Sequence, residues 1–158
     1  LQRTLDATGL PADRIELELT ESMVMQNAEQ ATAVLNDLRD LGVSLAIDDF
    51  GTGFSSLVYL KRLPIDTLKI DKEFIDDLTR DPDDEAITST IITMGHSLGL
   101  NVIAEGVETE AQLNFLREHG CDEIQGHWLS PPLDGDQCQA FMHGWRPREL
   151  QPGQPVAS

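Results

Sequence analysis

Apolar positions recur along this chain in two alternating periods. Leu1, Leu5 and Leu10 stand among polar residues at helical spacing, and Gly9 and Pro11 end that first helix. A short strand-like run at about 14–20 is followed by a helix at about 27–41, with Ala31, Val34, Leu35, Leu38 and Leu41 on one face and Gly42 as its cap. The alternation continues. Strands are predicted at about 43–48, 66–71, 100–105 and 123–127. Helices are predicted from Ser55 to Leu63, through Ile87, Ile91, Ile92 and Leu98 after the acidic stretch Asp76 to Glu85, from Glu108 to His119, and at about 135–144.

Strands alternating with helices imply α/β architecture with a parallel sheet. There is no glycine fingerprint of a dinucleotide fold and no internal repeat, so five such units read as part of a (β/α)8 barrel. Each strand ends on chemistry. The first carries Glu18 and runs into Thr20-Glu21. The second runs into Asp48-Asp49, the third carries Lys69 and Asp71, the fourth runs into Glu105, and the fifth into Gln125-Gly126. Parallel α/β folds build their sites at the C-terminal strand edge. Five polar deliveries there predict one carboxylate-rich site.

Composition narrows the partners. The 158 residues suffice for one domain with a core, predicted over 1–144. Pro and Gly without apolar periodicity predict a disordered tail over 145–158. With 28 acidic against 11 basic residues the net charge is −17, which repels DNA, RNA and anionic membrane. No apolar run approaches the roughly 20 residues of a membrane span. Cys121 and Cys138 read as two buried free thiols in a reducing cytoplasm. The opening on Leu1, inside a helix and without Met, reads as a piece of a longer protein.

Several residues admit two readings. Asp48-Asp49, before Phe50-Gly51-Thr52-Gly53, is either a turn cap beside a solvated acid or a pair of hard oxygen ligands for a divalent cation. In an extended strand the two side chains diverge, so the ligand reading requires a local bend. Glu18 fits a surface acid on an alternating strand as well as a third ligand. Glu105, between Ala104 and Gly106, has room for a bound group. Lys69, on a strand buried on both faces, needs anionic company: a structural salt bridge, for instance to Asp71, or a site. Gln125 is a satisfied core amide or an uncharged site group. His96 and His119 read as helix-surface residues, and neither His nor Cys spacing resembles a zinc site.

Taken in order, Glu18-Leu19-Thr20-Glu21, Asp48-Asp49-Phe50-Gly51-Thr52-Gly53, Leu68-Lys69-Ile70-Asp71, Ala104-Glu105-Gly106-Val107-Glu108-Thr109 and Gln125-Gly126 resemble the successive motifs of EAL domains. That family hydrolyses the bacterial second messenger cyclic di-GMP to linear 5′-pGpG. The resemblance covers about residues 1–143. It implies a modified TIM barrel, here N-terminally incomplete, and two Mg2+ or Mn2+ ions. It implies metal ligation by Glu18, Asp48, Asp49 and Glu105, with Asp48 bridging. Lys69 and Gln125 would contact the attacking water or the phosphate, which makes Lys69, Glu105 and Gln125 the catalytic set. Glu21 would anchor the loop beginning at Asp49-Phe50-Gly51, and Glu108 would support the site. The family's eponymous Glu and an Asn ligand would both precede Leu1.

The resemblance further implies a bacterial cytoplasmic setting, a homodimer, and a sensory or GGDEF-type domain fused upstream in a parent that is itself soluble or membrane-anchored. The alternative function is a catalytically inactive receptor for cyclic di-GMP. An arc of five strands has two open edges. Ile47, Ile70 and Ile103 are expected to be partly wet on the face a closed barrel would cover.

Overall fold

The computed structural model describes residues 1–25, 28–53 and 57–145. Expectations for the tail at 146–158 and for the start of the helix at Ser55 fall outside them. In chain order the elements are α1 (Gln2–Thr8), a 3-10 turn at Ala12–Arg14, β1 (Glu16–Thr20), α2 (Glu21–Met25), α3 (Ala28–Arg39), β2 (Ser44–Phe50) and α4 (Leu57–Leu60). There follow β3 (Thr67–Ile70), α5 (Lys72–Asp76), α6 (Pro82–Ser97), β4 (Asn101–Ala104), α7 (Glu110–Glu118), β5 (Glu123–Ile124) and α8 (Gly135–Gly144). The five strands form one parallel sheet in the order β1-β2-β3-β4-β5, the arc expected of a partial barrel.

Local chemistry explains the boundaries. Gly9 ends α1 in a left-handed conformation. Asp81 opens α6 by accepting the Asp83 N–H, with Pro82 in the first turn, so the acidic stretch is partly the start of a helix rather than a loop. Thr109 and Gln112 form a reciprocal capping box at α7, and Asp134 and Gln137 form another at α8. Two short helices lie where periodicity predicts none. One is α2; the other is α5, started by Asp71, whose carboxylate accepts the Glu73 N–H at 2.7 Å. Five residues are too few for a periodic signal. The fifth strand is shorter than expected, because the chain turns at Gly126. A Cβ there would lie 2.2 Å from the Val107 carbonyl oxygen.

The register assigns the two faces. Leu19, Ile47, Leu68 and Val102 are partners across four strands, and Ile70 pairs with Ala104. This set faces the helices: Leu45, Ile47, Leu68, Ile70, Val102 and Ala104 are at most 1% exposed. Full burial of each leucine or isoleucine contributes roughly 1.5–3 kcal/mol. The opposite, concave face carries Glu16, Glu18, Ala46, Asp48, Thr67, Lys69, Asn101 and Glu123. Its polar groups pair across strands, with Thr67 Oγ1 donating to Glu16 at 2.9 Å and Asn101 Nδ2 to Glu123 at 2.6 Å.

This corrects the expectation of wet isoleucines. Ile47 and Ile70 point to the helices and are buried; only Ile103 lies on the concave side, half-buried. The cysteines also differ from expectation. Both are free, but Cys138 is exposed on α8 and Cys121 is half-buried. Burial, only partly offset by backbone hydrogen bonds, pushes the Cys121 thiol up to about 11.

Candidate metal and phosphate site

The bend that Asp48-Asp49 requires is present. Ile47 pairs with Leu68 and Phe50 with Ile70, so β2 spends one more residue than β3 over this span, and the ladder bulges at the two acids. Asp49 sits at φ 53, in the left-handed region that a non-glycine residue rarely occupies. The bulge turns both carboxylates toward one point. Oxygen atoms of Asp48, Asp49 and Glu105 lie within 4.8 Å of one another. Among the described residues this is the grouping with that geometry, and it does not include Glu18.

Glu18 is joined to the group through Lys69. The Lys69 Nζ lies 2.6 Å from Glu18 Oε1, 2.5 Å from Glu105 Oε1 and 3.3 Å from Asp48 Oδ1, with the lysine side chain 4% exposed. Its anionic company thus comes from three strands, and Asp71 instead caps α5. Burial alone would lower the Lys69 pKa. Hydrogen bonds from its ammonium to Glu105 and Glu18, and the Asp48 charge, outweigh this and hold it well above the ordinary lysine range. The Asp49 pKa is raised as well, which for an acid disfavours the charged form. Partial loss of hydration, then the Asp48 and Asp71 charges, raise its carboxyl.

Glu21 is 2% exposed at the start of α2, and its Oε2 accepts the Gly51 N–H at 3.2 Å. A Cβ at Gly53 would fall 2.5 Å from Glu21 Oε1, so the loop after Asp49 lies directly against this carboxylate. Residues 54–56 of that loop are outside the described set. Gln125 lies just past β5. Its backbone continues the sheet, with the N–H on the Ala104 carbonyl at 2.8 Å and the carbonyl accepting from Val107 at 3.1 Å, while its side chain is exposed.

Beside Glu105 opens a cleft of about 450 Å3, lined among others by Lys72, Gly106, Glu108, Gln125, His127 and Pro131. Glu108 stands at its rim in an ion pair with Lys72 at 2.9 Å, which holds the Glu108 carboxyl below its ordinary value. The helical histidines are both engaged, His96 with Asp122 at 2.8 Å and His119 with the Phe115 carbonyl at 2.8 Å. Lys72 and Gln112 were not singled out from sequence, and Asp71 was read as a strand-end acid beside Lys69 rather than as a helix cap. The available signal was capping chemistry: an Asp opening one helix, and Thr109-x-x-Gln112 opening another.

The EAL domain family model matches residues 1–132. The signaling protein YkoW of Bacillus subtilis is 51% identical over 142 residues, which is 90% of this chain and 18% of that protein. The cyclic di-GMP phosphodiesterase NbdA of Pseudomonas aeruginosa is 48% identical, over 92% of this chain and 19% of its own length. The chain therefore spans about a fifth of the length of the curated relatives it matches. Among solved structures, the PaMucR phosphodiesterase in complex with c-di-GMP superimposes with a TM-score of 0.85 at 47% identity, over 87% of this chain and 56% of that one. The manganese/cy-diGMP complex of Klebsiella pneumoniae BlrP1 superimposes at 0.76 with 38% identity, over 82% of this chain and 33% of that one. By motif order, sheet topology and these matches, the chain belongs to the EAL domain family.

Proposed function

We propose that the protein carrying this chain hydrolyses cyclic di-GMP to linear 5′-pGpG, and that the carboxylate cluster at the C-terminal edge of the sheet is its reaction centre. The observation that carries this reading is the convergence of Asp48, Asp49 and Glu105 around one point, with Lys69 set among Glu18, Asp48 and Glu105. The donor set is all oxygen, which suits Mg2+ or Mn2+. Asp48 Oδ1 is buried and accepts no hydrogen bond among the described residues, an oxygen well disposed to a cation. Asp48, Asp49, Glu105 and Glu18 would hold two such ions. When bound, the ions supply positive charge against the phosphodiester and lower the pKa of a water.

The chain's own groups do the rest. Asp48 and Asp49 present adjacent charges fixed by the bulge. Lys69, held in its ammonium form, keeps its proton and offers charge and hydrogen bonds to the phosphate or the attacking water; it does not serve as the base. Gln125 borders the same cleft with an uncharged amide. Water adds to phosphorus, the bond to one 3′ oxygen breaks, and that oxygen takes up the proton. Glu21 keeps the loop after Asp49 in place. The NbdA and PaMucR names support the substrate, and the manganese complex of BlrP1 supports the cation. A homodimer, an upstream diguanylate cyclase-type domain (one relative is named a bifunctional diguanylate cyclase/cyclic di-GMP phosphodiesterase) and a cytoplasmic setting belong to the same proposal. No described helix is long and apolar enough to cross a membrane.

Turnover of cyclic di-GMP by the full-length protein tests this directly. Product should form with Mg2+ or Mn2+, stop in EDTA, and fall sharply with Ca2+, whose looser coordination positions water poorly. Full activity in EDTA would refute the metal reading. Tight binding of cyclic di-GMP without turnover in Mg2+ would make the protein a receptor.

A further inference from the structure

Gln112 is 5% exposed and uses both ends of its amide. Its Oε1 accepts the N–H groups of Glu108 at 2.9 Å and Thr109 at 2.8 Å, and its Nε2 donates to the Ile75 carbonyl at 2.7 Å. Only the first half of this is capping. The second half crosses from α7 to α5, the helix that follows β3. The two segments it joins are the two lips of the site. One lip is β3 and its extension, with Lys69, Asp71 and Lys72. The other is the 105–109 segment, with Glu105 and Glu108.

The far side of that second segment is already held by backbone. Val107 donates to the Gln125 carbonyl at 3.1 Å and accepts from Trp128 at 2.9 Å. Gly106, at φ 71, has the stem of Lys72 packed against it, so that a Cβ would meet Lys72 Cγ at 2.3 Å. Toward β3 and α5 the segment is tied at its base by the Glu105 N–H on the Ile70 carbonyl at 3.2 Å, and beyond that bond by the Lys72–Glu108 ion pair, which is solvent-exposed and therefore weak, and the buried Gln112 bond. We propose that Gln112 is a positioning residue that sets the separation of the two lips, and through it the placement of Glu105 against Asp48, Asp49 and Lys69. This rests on the metal-dependent reading above.

Gln112→Glu separates the two functions of the amide. Thr-x-x-Glu is itself a capping box, so the N–H groups of Glu108 and Thr109 keep their acceptor. A carboxylate cannot donate to Ile75, and that link is lost. In the full-length protein, Mn2+ binding measured by titration calorimetry should weaken about tenfold or more in Gln112→Glu, the range for groups that orient a metal ligand. Helix content should be unchanged, and kcat at saturating Mn2+ should recover toward wild type. If Gln112→Glu does not fold, Gln112→Met removes both links at similar volume and should weaken Mn2+ binding at least as much. Wild-type Mn2+ affinity in a folded variant overturns the proposal. Absence of Mn2+ binding by the unmodified protein would instead overturn the metal reading on which it rests.

Discussion

The two faces of this sheet are made by the same five strands yet obey different rules. On the helix side the side chains are aliphatic, almost fully excluded from water on β2, β3 and β4 and half-buried on the edge strands at Leu17, Leu19 and Ile124. On the concave side most are charged or polar and find partners across the sheet, two strands away for Glu16 with Thr67 and Glu18 with Lys69, and on the adjacent strand for Glu123 with Asn101. Strand periodicity thus separates stability from chemistry residue by residue. It also explains how an open arc keeps its hydrophobic core dry. The face a missing wall would have covered contains almost no apolar side chains.

The sharpest test substitutes one residue on each face. Asp48→Asn removes a carboxylate from the concave cluster. In the full-length protein it should lower cyclic di-GMP turnover by more than about a hundredfold, beyond the effect of losing a group that merely orients a ligand. Its melting temperature should move by no more than about 2 °C. Leu68→Ala, one residue from Lys69 but on the helix face, should do the reverse. Urea unfolding should show a loss of about 3 kcal/mol, and activity per folded molecule should persist. Comparable activity losses from the two variants would break the division between faces.

Lys69→Met should blur the division in an informative way. It strips the shared cation from Glu18, Asp48 and Glu105, but these acids reach solvent, so the loss should be about 1–3 kcal/mol rather than the full penalty of a buried orphan charge. Millimolar Mg2+ should restore more stability to this variant than it adds to the wild type. Equal Mg2+ stabilisation of the two proteins would argue against a cation among these carboxylates.

The smallest effect belongs to the far end of the sheet. Burial pushes the Asp122 carboxyl up, but the His96 hydrogen bond and the Val102 N–H win and hold it below its ordinary value of 3.8. Its contribution is therefore complete above that value and fades as pH falls through the lower folded one. Asp122→Asn should cost less than about 1 kcal/mol at pH 6, given the exposure of the pair, and nothing measurable near pH 2. Turnover should be unaffected. A stability difference between Asp122→Asn and wild type that grows on acidification would reverse the sign.

The alternation of elements was legible in the sequence because α3 and α6 carry long apolar periods and the strands carry short apolar runs bounded by turn residues and acids. What was not legible had one of two causes. Helices α2 and α5 are too short for a period to register, and only Asp71 as a cap betrays the second. The facing of Ile47 and Ile70 depends on register, which is set between strands rather than within one. The site residues were visible as types at strand ends. Their geometry was not, because the bulge that joins Asp48 to Asp49 is a relation between β2 and β3, and Gln112 acts across from one helix to another.

The order of the sheet is the order of the chain, and this bears on how the molecule is made. As the polypeptide leaves the ribosome, each new strand finds its partner in the one just synthesised, so the sheet can grow one strand at a time without waiting for a distant segment. The proposed reaction centre has no such early form. The residues assigned to it ride at the tips of successive strands, from Glu18 to Gln125, and they stand together only once the last of them has been laid down. Nascent chains stopped before β5 should already hold a protected β1–β3 layer in hydrogen exchange, with the acids brought together but Gln125 not yet beside them.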